Sequence, residues 1–117
     1  MHPEDPSALD PEDGKLVILA RSARARIGAL EGAAVRDTDG RTYAAASVIL
    51  PSLSLTALQL AVASAVAAGA SGLEAAALVT ENPDLDDASL AAVHDLTPKA
   101  PVHIATPDGT VVAVHPA

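Results

Sequence analysis

The chain has 117 residues, 50% of them hydrophobic, and its 15 acidic against 7 basic residues give a net charge of -8. That length suits one domain that buries roughly two thirds of its unfolded surface. The charge disfavours phosphate backbones and anionic membranes, so neither nucleic acid nor a membrane is an expected partner.

The start, Met1-His2-Pro3-Glu4-Asp5-Pro6, lacks the positive, apolar character of a secretory signal, which predicts a cytoplasmic location. Residues 1–9 read as an acidic flexible tail and 10–117 as a single domain. Asp10-Pro11-Glu12-Asp13 combines a cap, a proline at the first helical position and two first-turn acids. A helix is predicted from Pro11 to Arg26, burying Leu16, Leu19, Ala20, Ala23 and Ile27 and ending at Gly28. Arg21, Arg24 and Arg26 fall where cations offset a helix dipole, so with Arg36 they are read as structural rather than as a phosphate site.

Ala33 to Arg36 and Arg41 to Ala45 flank Asp37-Thr38-Asp39-Gly40, which supplies the turn of an antiparallel hairpin. An irregular crossing, Ser47 to Ser52, leads to a helix from Thr56 to Gly69. This helix is apolar nearly all round and therefore buried. The apolar run Leu53 to Ala68 is interrupted by Gln59 and Ser64 and falls short of the roughly 20 residues of a membrane span.

Ala75 to Val79 is apolar without alternation, as expected of a central strand covered on both faces. Asp86 and Asp87 can cap a third helix that turns Leu90, Val93 and Leu96 inward. Strands from Val102 to Thr106 and from Thr110 to Val114 follow. Pro107-Asp108-Gly109 between them is too short for a parallel crossover, so these two strands run antiparallel.

Gly32-Ala33-Ala34, Asp39-Gly40 and Tyr43, with the order of elements from about Pro11 to Val114, resemble the cytidine deaminases of the nucleoside type. The resemblance implies a three-layer α/β/α fold with a mixed five-stranded sheet in the order 2-1-3-4-5, its last two strands an antiparallel hairpin. It also implies a dimer or tetramer with the buried helix at the subunit contact. In that family a Cys or His and a Glu begin the second helix, and Pro-Cys-x-x-Cys begins the third. The thiolates hold a water-activating zinc, and the Glu moves protons.

This chain has no cysteine. By the resemblance the three ligand positions fall on Thr56, Asp86 and Ser89, and the proton-moving acid falls on Leu58. The ribose-binding Asn-x-Glu falls on Ser47-Val48-Ile49, and the stacking Phe near Ala29. One carboxylate and two hydroxyls do not make a zinc site. His2, His94, His103 and His115 show no ligand spacing and are read as structural.

The expectation is therefore a degenerate member with no zinc, no cofactor and no catalytic residues, a pseudoenzyme that serves as an oligomerising or interaction module. Its vestigial pocket would comprise Ser47, Ile49, Thr56, Leu58, Asp86 and Ser89. The alternative is a protein that binds or senses a nucleoside or base in that pocket. An active zinc-dependent deaminase is the least favoured reading.

Overall fold

A computed structural model describes residues 9–82 and 86–116. Residues 1–8 of the expected 1–9 tail, His2 among them, lie outside the described residues, whereas Leu9 packs against the core on the α1 side.

Helix α1 (Pro11–Ile27) starts as its sequence dictates. The Asp10 carboxylate accepts a 2.8 Å hydrogen bond from the Glu12 amide, and Pro11 occupies a position where no amide is needed. Gly28 ends the helix in the left-handed region at φ 63°, a conformation that side chains with a Cβ disfavour. Leu16, Val17, Ala20 and Ala23 form the buried stripe. Ile27, expected to join it, is 66% exposed, because the helix ends there before its side chain meets the sheet.

Strands β1 (Glu31–Asp37), β2 (Thr42–Ala46), β5 (Leu73–Thr80), β6 (Val102–Ala105) and β7 (Val111–His115) build one sheet in the order β2-β1-β5-β6-β7. β1 runs antiparallel to β2 and β5, β5 and β6 are parallel, and β7 returns antiparallel to β6. This is the mixed sheet that the resemblance implies. Helices α2 (Ala57–Ala67) and α3 (Asp87–Leu96) cover the face opposite α1. The layers are held close by small residues. Gly32 is required on β1 because a Cβ there would collide with the Ala20 carbonyl of α1.

Each face has its own core. Leu16, Val17, Ala34, Ala75, Ala77 and Val79 fill the α1 side, whereas Val35, Leu58, Ala61, Leu78, Val93 and Ile104 fill the other. Alternation along β1 separates Ala34 from Val35, as a strand covered on both faces requires.

The segment expected to cross irregularly forms a second, two-stranded sheet, β3 (Val48–Leu50) with β4 (Leu53–Leu55). Its two-residue turn, Pro51-Ser52, closes a hairpin whose strands are too short to display a period of two. The outward side chains Ile49, Leu50 and Leu53 are apolar and exposed, which conceals the usual pattern further.

Candidate functional site at the N-termini of the second and third helices

Thr56 caps α2 through a reciprocal pair of hydrogen bonds. Its Oγ1 accepts from the Gln59 amide at 3.1 Å, and its own amide donates to Gln59 Oε1 at 3.0 Å. Thr-x-x-Gln is the sequence pattern that makes such a box. Asp86 caps α3, its Oδ1 accepting from the Ala88 amide at 3.2 Å. These caps fix the two helix starts, and a third contact ties them together. The Ser89 hydroxyl, 2% exposed, donates to Thr56 Oγ1 at 2.7 Å.

A cleft of about 560 Å³ opens beside this junction. Ser47, Ile49 and Thr56 line it together with Ala29, while Leu58, Asp86 and Ser89 are not among its lining residues. Leu58 is fully buried in the core beneath α2, Asp86 is exposed, and Ser89 is tied to Thr56. The six expected pocket residues thus divide between cleft wall, helix junction and core. The Ser47 hydroxyl accepts from the Glu31 amide at 3.3 Å, and Ile49 is 70% exposed at the mouth.

Further wall residues come from segments that lie far apart in the chain: Arg24 at the end of α1, and Thr80, Glu81 and Asn82 at the end of β5. Arg24 donates through Nη2 to Glu81 at 3.1 Å and through Nε to the Leu30 carbonyl at 3.2 Å. Thr80 Oγ1 accepts from the Asn82 amide at 3.1 Å. The cleft therefore presents hydroxyls within, an ion pair at one side and exposed Leu30 and Ile49 at the rim.

The zinc that the resemblance implies does not fit this donor set. Neutral hydroxyls are weak zinc ligands, and Thr56 Oγ1 already receives two hydrogen bonds, one of them from Ser89, which the resemblance sets at another ligand position. Among the described residues, no group of three His, Cys, Asp or Glu could hold a metal ion. His103 is instead buried on the opposite face, 3.1 Å from Asp13, and His94 Nε2 lies 3.1 Å from the Ala100 carbonyl.

Three of the four arginines read as structural, Arg21, Arg24 and Arg36, have hydrogen-bond partners. Arg36, on β1 and not on a helix, bonds Asp13 of α1 and Glu74 of β5, each at 2.9 Å. Burial alone would lower the Arg36 pKa, but its bonds to Asp13 and Glu74 outweigh that and raise it. Arg21 donates to the Pro107 carbonyl at 2.9 Å.

At the β1–β2 turn, burial would raise the Asp37 carboxyl. Hydrogen bonds from the Arg41 amide, the Tyr43 hydroxyl and the Asp39 amide outweigh it and hold the carboxyl below its ordinary value. Among the described residues, no helix is long and apolar enough to cross a membrane.

Comparison with known proteins agrees with this architecture. A family model described as cytidine deaminase-like matches residues 9–109. No curated protein matches the chain. Among solved structures, the chain is similar to a cytidine deaminase from Burkholderia pseudomallei, with 27% identity and a TM-score of 0.74 over 86% of this chain and 88% of that one. The family match spans most of the chain, and the order of strands agrees with it. The chain belongs to the cytidine deaminase-like family, as a member in which no metal-binding cluster forms among the described residues.

Proposed function

We propose that this protein is a non-catalytic cytidine deaminase-like protein that acts as an oligomerising or interaction module. The observation that carries the reading is the 2.7 Å hydrogen bond between Ser89 Oγ and Thr56 Oγ1. Two positions that would supply metal ligands bond to each other, and the position of the proton-moving acid is a core leucine. Hydrolytic deamination needs an activated water and a proton relay. The side chains at these positions supply neither.

The association half of the proposal draws on the distribution of charge. Residues 42–73 contain no charged side chain, although the chain as a whole carries -8. This stretch includes exposed Ile49, Leu50, Leu53 and Val66. Uncharged apolar surface of this kind marks contact sites. The expected partner is a second copy, as a dimer or tetramer.

The test joins two assays on zinc-supplemented protein. The proposal expects no conversion of cytidine to uridine, together with a particle larger than one chain by light scattering at micromolar concentration. Cytidine turnover would overturn the first half, and a monomer the second.

The cleft favours a second reading, in which a small polar molecule such as a nucleoside or base binds without being transformed. Its volume of about 560 Å³ falls in the usual range for ligand sites. A thermal-shift panel of nucleosides and bases at millimolar concentration tests this. A rise in melting temperature supports it, and an unchanged one removes it.

A further inference from the structure

The two edges of the main sheet are built differently. β7 is guarded. Its register with β6 skips Val112, passing from Ile104↔Ala113 to Ala105↔Val111, and Pro116 follows the strand. Such irregularities and prolines discourage further strand pairing. β2, at the other edge, has five consecutive partners on β1 without a break, and it contains neither proline nor charge. A regular, uncharged edge is a template for another strand.

We propose that β2 pairs antiparallel with β2 of a second copy about a two-fold axis at Ala44, extending the sheet across both chains. This rests on the homo-oligomeric reading above and names its contact. Three observations favour a second copy as the occupant. The side chains of Thr42 and Ala44 are exposed, and Ala45 and Ala46 are small, so little obstructs strand approach. Pairing Ala44 with its own counterpart sets Thr42 opposite Ala46 and Tyr43 opposite Ala45, with no like charges facing. Finally, two chains of net charge -8 repel each other except where charge is missing. β2, β3, β4 and α2 all lie within the uncharged stretch 42–73, and α2 packs over β1 and β2. A two-fold contact needs only self-complementary surface.

The experiment exploits the symmetry. Ala44→Asp and Ala44→Lys each place a charge opposite its own copy, so each alone should weaken association roughly a hundredfold. Mixing the two variants should restore a dimer, because opposite charges then face each other. Val112→Asp, exposed on the guarded edge strand β7, should leave the assembly intact.

Light scattering on the full chain reads all of these states. Association that survives both Ala44 variants would overturn strand pairing while leaving oligomerisation standing. A monomeric wild type would remove both. Should the Ala44 variants fail to give a native circular dichroism spectrum, hydrogen exchange of the wild type decides. Protection of the outward-facing Thr42, Ala44 and Ala46 amides that is lost on dilution supports the pairing, and its absence or its independence of concentration overturns it.

Discussion

The two faces of the sheet treat buried polarity in opposite ways. Under α1, Arg36 pairs with Asp13 and Glu74, and His103 joins this polar cluster through its contact with Asp13. Under α2 and α3, where the resemblance implies the family's chemistry, the polar junction is a pair of neutral hydroxyls. The sheet itself arranges the first. The β1–β5 register passes over Glu74 between Arg36↔Ala75 and Asp37↔Leu73, and this bulge re-aims Glu74 so that its carboxylate reaches Arg36. The contrast teaches that the fold tolerates partly buried charge where charges can be paired, and that neutral hydroxyls join the two helix starts at positions the resemblance gives to metal ligands.

Changes at both faces test this contrast. The largest effect is expected from Leu58→Glu, which sets an acid where the resemblance implies one but places it in a fully buried site. It should cost about 4 kcal/mol in urea denaturation. A stability change below about 1 kcal/mol would mean that this position opens to the cleft, since surface changes cost little.

Arg36→Met, on the opposite face, should cost about 3 kcal/mol, because Asp13 and Glu74 lose their common cation. Thr56→Val removes both a helix cap and the contact with Ser89, for about 2 kcal/mol. Ser89→Ala leaves the cap in place and should cost about 1 kcal/mol. Equal losses for the last two would place the junction's whole contribution in the hydroxyl pair.

The smallest effect concerns acid. Asp108 is held at about 2 by the Thr106 hydroxyl and the Thr110 amide, and Asp37 is likewise depressed. Both carboxylates therefore contribute stability above the ordinary carboxylate pKa of about 4. That contribution fades as pH falls through the folded-state values. For Asp108 the window runs from about 4 down to about 2. Carboxyl-carbon NMR should show its midpoint at the lower end, and Asp108→Asn should flatten the stability profile across that window.

The sequence made the helix starts legible, because caps are local: Asp10, Thr56 and Asp86 each act within three residues of themselves. The central strand and the final antiparallel pair were legible from continuous apolarity and a short connection. The hairpin of β3 and β4 was not, since three-residue strands with apolar outer faces carry no alternation. Nor was the cluster under α1. Its members are separated in the chain by up to 90 residues, and one of them reaches its partner only through a bulge.

At the candidate site, missing chemistry was easier to read than what replaced it. The absence of cysteine is a property of composition, whereas the bond between Thr56 and Ser89 spans 33 positions and depends on how two helices meet. Arg24, Thr80 and Glu81 joined the cleft wall for the same reason.

The most direct test is zinc stoichiometry after the purified protein is equilibrated with excess zinc and dialysed. With the helix ends closed by a hydroxyl pair, retained metal should be negligible and the melting temperature unaffected by chelator. One zinc per chain, lost on chelation with a fall in melting temperature, would contradict the account.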